Sequence, residues 1–302
     1  MPERNDLNLQ LYIQRRRRRI DRALERWVPG QNEFPPQIHQ AMRYSLFAGG
    51  KRLRPILALA AAEAVGGRAA DVLPFACSLE LIHTYSLIHD DLPAMDNDDL
   101  RRGQPTSHKI FGEALAILTG DALLSEAFYL MSRQDLMKKV SPQRRLRAIS
   151  QIARAAGSLG MIGGQTMDIL SQGKEMDRNV LEYIHNHKTG ALMAASVSAG
   201  AILGGASAGE YRALNAYGKK LGLAFQIIDD LLDVQGDPRM LGKTVRKDQI
   251  QEKATYPAFF GVSASRHQAE GLVQKAVAYL RPLNGRANPL REIAQFILKR
   301  SN

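Results

Sequence analysis

Apolar residues recur at helical spacing along nearly the whole chain. The pattern predicts helices over residues 38–46, 56–65, 73–88, 114–131, 144–159, 180–202, 210–232 and 290–298. Glycine and proline segments such as Gly66-Gly67 and Ser141-Pro142 fall between these runs, where helices should begin or end. The sequence contains no alternating strand pattern of useful length and no Pro/Ser-rich linker. We therefore predict one all-α domain covering residues 1–302.

The composition agrees with helix-on-helix packing. Aromatic residues make up 6% of the chain, whereas alanine, leucine and glycine are plentiful. The lone cysteine, Cys77, can form no internal disulfide and lies in an apolar stretch, so we interpret it as a small core residue in a reducing compartment. No stretch approaches the ~20 apolar residues of a membrane span, and the N-terminus lacks the order of a signal peptide. We therefore expect a cytoplasmic protein without a membrane span.

The charge balance indicates an anionic partner. The chain carries 41 basic and 30 acidic residues, a formal net charge of +11, which suits nucleic acid, anionic lipid or a small anionic substrate. Five consecutive arginines at 15–19 are the obvious nucleic-acid candidate, but no aromatic residue interleaves with them. Leu11, Ile20, Leu24 and Trp27 around the run predict an amphipathic helix instead. We therefore expect no nucleic-acid partner and favour electrostatic attraction of a small anion.

Two aspartate clusters are the main candidates for chemistry. Asp90 and Asp91 follow one apolar run, and Asp229 and Asp230 follow another. Carboxylates packed this densely at the end of an apolar helix repel one another and lose hydration, so a positive partner is needed. Divalent cations, above all Mg²⁺, accept carboxylate ligands together with substrate phosphate oxygens. The clusters predict a metal-dependent site for a multiply charged anion.

The two clusters differ in local geometry. Asp229 and Asp233 stand four residues apart, so both should project from one helix face. Asp90 and Asp96 would not share a face of a regular helix, and Pro93 removes a backbone donor between them. We therefore expect a break after Asp90 that brings Asp96 back towards it.

A set of basic residues accompanies both clusters. Three cations, Lys51, Arg52 and Arg54, follow Gly49-Gly50 at a helix start, where backbone N–H groups also favour anions. Each of these cations, taken alone, is typical of a solvated surface. The further cations of the set are Arg101, Arg102, Lys188, Lys243 and Lys253.

These segments together resemble a known enzyme family. Gly-Gly-Lys-Arg-Leu-Arg-Pro (49–55), Asp-Asp-Leu-Pro-Ala-Met-Asp (90–96), Leu-Arg-Arg-Gly (100–103), Gly-Gly-Gln (163–165), Lys-Thr-Gly (188–190) and Phe-Gln-Ile-Ile-Asp-Asp-Leu-Leu-Asp (225–233) occur in this order. The combination is similar to the trans-prenyltransferases, and more closely to bacterial farnesyl diphosphate synthases. The resemblance covers residues 44–257. It implies an all-helical bundle around a deep central cavity, assembled as a homodimer.

The resemblance also implies a metal site and two diphosphate sites. Three Mg²⁺ ions would be held by Asp90, Asp91, Asp96 and Asp229, with Asp230 and Asp233 supporting ions or ordered water. The allylic diphosphate would be bound by Arg101, Lys188 and Lys243, with Thr189, Gln226 and Lys253 completing that side. Isopentenyl diphosphate would be bound by Lys51, Arg54, His83 and Arg102. We interpret His89, beside the aspartate pair, as a structural residue.

Product length should depend on the cavity floor below the first aspartate cluster. Tyr85 and Ser86 lie five and four residues before Asp90, about one helical turn away. In the family that the chain resembles, an aromatic residue here accompanies a C15 product. The sequence therefore predicts two successive additions of isopentenyl diphosphate, to dimethylallyl and then geranyl diphosphate, giving farnesyl diphosphate.

Three alternatives remain open from the sequence. A geranylgeranyl diphosphate synthase (C20 product) shares the same expanded acidic segment. A class I terpene cyclase uses similar metal-assisted ionisation but has no need for a second diphosphate site at Lys51, Arg54 and Arg102. An inactive regulatory subunit should have lost one aspartate cluster, and both are present here.

Overall fold

Nearly every element of the protein is a helix. The computed structural model describes residues 8–174, 177–235 and 255–299. The first helices are α1 (Leu9–Trp27), α2 (Pro36–Phe47), α3 (Leu53–Ala64), α4 (Ala69–Asp90), α5 (Ser107–Phe111), α6 (Glu113–Ser132) and α7 (Pro142–Ala156). The later ones are α8 (Met161–Leu170), α9 (Arg178–Ile184), α10 (Ala191–Gly204), α11 (Ala208–Gln235), α12 (Tyr256–Phe260), α13 (Val262–Tyr279) and α14 (Asn288–Lys299). The all-α class predicted from the sequence is confirmed.

A short hairpin is the exception to the helical pattern. Strands β1 (Leu100–Arg101) and β2 (Gln104–Pro105) pair antiparallel, with Arg101 opposite Gln104. Both turn residues, Arg102 and Gly103, have positive φ angles of 55° and 77°. Positive φ at both central positions is the geometry of a type I′ hairpin turn. The hairpin fixes the direction in which two adjacent arginines leave the backbone.

Helices α3, α4 and α10 form the centre of the core. Every residue of α10 from Leu192 to Leu203 is buried, and α4 is buried along most of its length. Small side chains let α10 cross α3 closely, because a Cβ added at Gly200 would overlap the Ala58 carbonyl. The small residues at 194–200 therefore form a close helix crossing, and apolar burial here drives the fold.

The segment predicted as one helix over residues 180–202 contains a change of helix type. Helix α9 passes without a break into a π-helical segment, His185–Gly190, and then into α10. π-Helical segments are rare and occur frequently at functional sites. This one carries Lys188 and Thr189, both of which the sequence marks as candidate site residues.

Helix α6 differs from the sequence-based expectation about membrane spans. It is the one helix in the described ranges that is long and apolar enough, by length and composition, to cross a membrane. It packs instead along α4 and α2 within the bundle. Less than half of its apolar stretch is buried, and Ile117, Leu118 and Tyr129 are exposed on its outer face. The sequence-based expectation underestimated the apolar character of this stretch, although it predicted a helix over residues 114–131.

Candidate active site

The first aspartate cluster begins where α4 ends. The Asp96 N–H donates to the Asp90 carbonyl at 2.8 Å, and the Asn97 N–H donates to the Leu92 carbonyl at 3.0 Å. Asn97 has a φ angle of 49°, in the left-handed region that asparagine tolerates. The chain thus turns tightly around Pro93 and brings Asp96 back to Asp90. The predicted break is confirmed.

Crowding of the carboxylates changes their protonation. Burial raises the pKa of Asp90 to about 6; Lys188 opposes this rise and the neighbouring Asp96 carboxylate adds to it. Desolvation and like charge are the two influences that disfavour an ionised carboxylate. A cation placed between Asp90 and Asp96 would remove both penalties.

Arg101 neutralises the second aspartate of this cluster. Its Nε lies 3.0 Å from Asp91 Oδ1 and 3.2 Å from Oδ2, and its terminal nitrogen bonds to Asp91 as well. The same nitrogen donates to Asp98 Oδ2 at 3.2 Å. Burial raises the pKa of Asp91, and the Arg101 hydrogen bonds oppose the rise. Asp98 therefore helps to hold Arg101 in position.

Lys188 lies between the first aspartate cluster and helix α8. Its Nζ donates to Asp168 Oδ2 of α8 at 2.6 Å. Burial lowers the pKa of Lys188, but Asp168, Asp90 and Asp96 together raise it above its ordinary value. Helix α8 approaches this closely because Gly164 has no side chain; a Cβ there would overlap the Lys188 backbone nitrogen.

Asp168 was missed by sequence reasoning. A signal existed, because Asp168 stands four residues after Gly164 and shares its helix face. The helix face that carries such a glycine lies close to a neighbouring element. A polar residue on the same face can therefore contact that element.

The second aspartate cluster is linked to the π-helical segment by a chain of hydrogen bonds. The Thr189 hydroxyl donates to Gln226 Oε1 at 2.7 Å, and Gln226 Nε2 donates to Asp230 Oδ1 at 2.8 Å. The other Asp230 oxygen accepts from the Tyr256 N–H at 3.0 Å and lies 3.3 Å from His185 Nε2. Asp230 is 3% exposed, so these contacts satisfy a buried carboxylate.

Asp229 and Asp233 complete this cluster on α11. Asp229 is partly exposed, whereas Asp233 is buried. Burial lowers the pKa of Arg54 and the Asp229 carboxylate opposes that change, which places Asp229 near the start of α3. Across residues 8–174, 177–235 and 255–299, no three His, Cys, Asp or Glu side chains are arranged as they stand to hold a metal ion.

Arg54, His83 and Arg102 form a separate cationic group. Burial lowers the pKa of Arg54, and Arg102 lowers it further. Burial, followed by Arg54 and Arg102, lowers the pKa of His83 well below its ordinary value. Two arginines that repel each other beside a neutral imidazole favour a multiply charged anion. Lys51 is exposed in the loop just before α3.

Arg102 reaches this group by crossing the glycine loop. Its guanidinium donates to the Gly49 carbonyl. Gly50 has a φ angle of 123°, and a Cβ there would lie 2.8 Å from an Arg102 nitrogen. The positive φ angles favour glycine at both Gly49 and Gly50, and the passage of Arg102 leaves little room for a side chain at Gly50.

Arg52, between the two basic candidates of the same loop, is structural. It is 3% exposed and donates to Asp21 Oδ1, Glu80 Oε1 and the Leu46 carbonyl, each at 2.8 Å. Its φ angle of 52° is left-handed. The buried ion pair with Glu80 anchors the junction between the loop that carries Lys51 and the first turn of α3, which carries Arg54.

Tyr85 lies one helical turn before the first aspartate cluster. It is 5% exposed, its buried hydroxyl has no hydrogen-bond partner, and its ring meets His89 edge-on at 5.8 Å between centroids. Burial raises the pKa of Tyr85 to about 12. The Ser86 hydroxyl donates to the His83 carbonyl at 2.9 Å. Tyr85 is therefore a bulky, fixed group next to Asp90.

His89 ties the end of α4 to α6. Its Nε2 lies 3.0 Å from the Ile117 carbonyl, and a Cβ at Gly120 would overlap the ring. This contact fixes the position of α4 along α6 beside the first aspartate cluster. Two further site candidates, Lys243 and Lys253, lie outside the described residues.

Comparison with known proteins decides the family. The family model described as polyprenyl synthetase matches residues 35–280. The chain belongs to the polyprenyl synthetase family. It is a short-chain trans-prenyltransferase. Members of this family typically use Mg²⁺.

Relatives within the polyprenyl synthetase family differ in product. The chain is 45% identical to a farnesyl diphosphate synthase of Geobacillus stearothermophilus over 98% of its own length and 99% of the relative's. It is 47% identical to a geranylgeranyl diphosphate synthase of Cyanophora paradoxa, over 100% and 99%. The apo crystal structure of an FPP/GFPP synthase from Zymomonas mobilis is similar, with a TM-score of 0.87 at 38% identity, covering 96% and 99% of the two chains.

Asp168 should act as a positioning residue for prenyl transfer in this polyprenyl synthetase. Replacing Asp168 with asparagine removes the charge that holds Lys188 Nζ at 2.6 Å. We expect kcat/KM for the allylic substrate to fall about tenfold, the value of one charge-assisted hydrogen bond. Asp135→Asn, which changes an exposed partner of Arg133, is the matched control. An unchanged kcat/KM in Asp168→Asn would show that Lys188 is held without it.

Proposed function

We propose that this protein is a farnesyl diphosphate synthase, which adds isopentenyl diphosphate to dimethylallyl diphosphate and then to geranyl diphosphate. The observation that best supports this proposal is the presence of two cationic groups beside the first aspartate cluster. Lys188 and Arg101 act on the Asp90 carboxylate, whereas Arg54 and Arg102 are the cations that act most strongly on His83. Two such groups suit a reaction that joins two diphosphate esters.

The acidic residues fit Mg²⁺. Asp90 and Asp96 are crowded and desolvated, which raises the pKa of Asp90 to about 6, so a divalent cation would relieve their repulsion. We assign Asp90, Asp91, Asp96 and Asp229 as ligands of three Mg²⁺ ions. Asp230 and Asp233 would support them, Asp230 while holding Gln226. When bound, the ions stabilise negative charge on the leaving diphosphate.

On the allylic side, the protein stabilises ionisation of the substrate. Lys188 and Arg101 would bind the diphosphate as the allylic C–O bond breaks and the electron pair leaves with that group. We assign Lys243 and Lys253 to the same diphosphate. The Thr189 hydroxyl donates to Gln226 Oε1, and Asp230 holds the Gln226 amide nitrogen, so oxygen atoms face the π-helical segment. These oxygens would stabilise the allylic cation without reacting with it.

On the isopentenyl side, the protein binds and orients the nucleophile. Lys51, Arg54, His83 and Arg102 would hold its diphosphate. The double bond attacks the allylic carbon, and a proton then leaves the newly joined unit. The departed diphosphate is the base that accepts this proton, so the reaction needs no side-chain nucleophile.

We also propose that the enzyme is a homodimer. The outer face of α6 exposes Ile117, Leu118 and Tyr129 along one helix. An exposed apolar helix face of this kind is typical of a protein–protein interface. A second copy of the chain would cover it.

Product analysis tests the proposed function. The protein would be incubated with Mg²⁺, dimethylallyl diphosphate and labelled isopentenyl diphosphate, and the dephosphorylated products compared with C10, C15 and C20 alcohols. Predominant farnesol would support the proposal. Predominant geranylgeraniol would retain the enzyme class and favour the C20 alternative, which the Cyanophora relative makes relevant. A cyclic hydrocarbon, or no product from folded protein, would contradict prenyl chain elongation.

Tyr85 should limit the product to C15. The Tyr85→Ala variant removes a buried ring one turn before Asp90, which should allow the growing chain to pass. We expect C20 and longer products in place of C15, measured by chromatography of the dephosphorylated products. Tyr279→Ala, at an exposed tyrosine on α13, serves as the control and should leave the product at C15. A C15 product from both variants would contradict the role of Tyr85 as the cavity floor.

A further inference from the structure

Helix α1 carries a stripe of arginines that the proposed catalytic site does not use. The arginine stripe consists of Arg15, Arg18, Arg19, Arg22 and Arg26, all of them exposed. At 3.6 residues per turn, their spacing places the five side chains within an arc of about 100° and along about 16 Å of helix. The opposite face of α1 buries Ile20, Ala23 and Leu24 in the core. The stripe is therefore held on the outside of the bundle by the burial of the other face.

The arginine stripe has no counter-charge in the part of the chain that the structure describes. None of its five members makes an ion pair there. The adjacent arginines outside the arc behave differently, since Arg16 pairs with Glu63 and Arg17 with Asp21. Acidic Glu25, at the edge of the arc, pairs with Arg43. The positive charge of the stripe is thus left for an external anion.

We infer that the arginine stripe docks on the surface of an anionic lipid bilayer. Clusters of four to eight arginines or lysines on an amphipathic helix are typical of binding to anionic lipid headgroups. A straight row on the outside of a helix lets all five guanidinium groups meet a flat, negatively charged surface together. Leu11 is the one apolar residue in the arc and is 40% exposed. No aromatic or amide side chain of α1 accompanies the arginines in this arc to read or stack on nucleic-acid bases.

The mode of binding follows from the packing of α1. Its apolar face is buried in the protein, so the helix has little apolar surface to insert between lipids. Attachment should be electrostatic, reversible and weakened by salt. The inference gains a purpose from the proposed function, because a C15 product carries an apolar chain that partitions into a bilayer. The docking itself is a separate property of α1.

Vesicle sedimentation tests this inference. Full-length protein would be mixed with phosphatidylcholine vesicles, with or without phosphatidylglycerol, at about 0.1 M and about 0.5 M salt. We expect binding only to the vesicles that contain phosphatidylglycerol, and release at the higher salt. Equal binding to neutral vesicles, or no binding to either kind at low salt, would overturn the inference.

Charge-reversal variants locate the binding surface. The triple variant Arg18→Glu/Arg19→Glu/Arg22→Glu should weaken vesicle binding about tenfold or more. The control Lys138→Glu/Lys139→Glu/Arg154→Glu changes three exposed cations elsewhere by the same total charge and should bind as the parent does. A milder Arg18→Gln/Arg19→Gln/Arg22→Gln variant covers the case in which reversal disturbs folding. Equal loss in the stripe and control variants would assign binding to net charge and overturn the stripe.

Two further readouts separate the possible partners and the two proposals. Tighter binding to duplex DNA than to anionic vesicles, lost in the same stripe variants, would replace the bilayer with nucleic acid and overturn the inference. Turnover of soluble diphosphate substrates by the stripe variants should equal that of the parent. Failure of product analysis would therefore leave vesicle binding intact, and failure of vesicle binding would leave the C15 assignment intact.

Discussion

Replacement of Asp90 with asparagine should lower kcat for prenyl transfer by about a thousandfold or more. Asparagine keeps the size of the side chain but removes the charge that would hold Mg²⁺ beside the leaving diphosphate. Electrostatic stabilisation of developing charge is usually the largest contribution to catalysis. The loss should be accompanied by a higher Mg²⁺ requirement, measured by initial rates over a titration of the metal.

The position of Asp90 makes this variant informative. The Asp96 N–H bonds to the Asp90 carbonyl through the backbone, so the turn itself does not depend on the carboxylate. Asp99→Asn, at an exposed residue nine positions further along the chain that pairs with Lys109, is the control and should retain the parent rate. A rate for Asp90→Asn equal to that of Asp99→Asn would contradict the assignment of Asp90 as a metal ligand.

Replacement of Arg52 with methionine should produce the largest loss of stability. Glu80 is 1% exposed and accepts from Arg52 Nη1 at 2.8 Å, so the variant leaves a buried carboxylate without its cation. Breaking one half of a buried ion pair typically destabilises a protein by about 3–5 kcal/mol. The free energy of unfolding in urea would measure the effect. The Leu46 carbonyl loses its donor in the same step.

A double variant separates ion pairing from packing. Arg52→Met/Glu80→Met removes both charges and should recover a large part of the stability, because well-packed apolar residues replace a buried pair at little net loss. Arg17→Met, at an exposed arginine whose Nε lies 3.6 Å from Asp21, should change the free energy by less than about 1 kcal/mol. If the double variant is no more stable than Arg52→Met, the loss comes from shape and not from the unpaired Glu80.

The sequence predicted the turn around Pro93 because it depends on local chemistry. A missing backbone donor and two carboxylates six residues apart were enough to predict that Asp96 returns to Asp90. The pattern of apolar residues likewise predicted the helices that form the core, such as α4 and α10, since their burial is visible as continuous apolar composition. Local signals therefore identified the helical class and the first cluster.

Contacts between distant segments were not predictable in the same way. Lys51, Arg52 and Arg54 are all cationic and cannot be told apart from the sequence. Only the fold shows that the Arg52 side chain turns inward to Asp21 and Glu80. The strands around Arg101 are too short for alternation to be seen. Helix α13 has alanine and valine at most of its apolar positions and few larger apolar residues, which weakens its apolar period.

The π-helical segment His185–Gly190 also limits which insertions and deletions this gene can tolerate. Its wider turn contains one more residue than an α-helical path would use. Deleting one residue there would let the segment close into a regular α-helix, so α10 would keep its orientation and Gly200 would keep its place against Ala58. The damage would fall on the site instead, because the wide turn sets the directions in which Lys188 and Thr189 leave the backbone. A deletion in this segment should therefore spare the core and disturb the candidate active site.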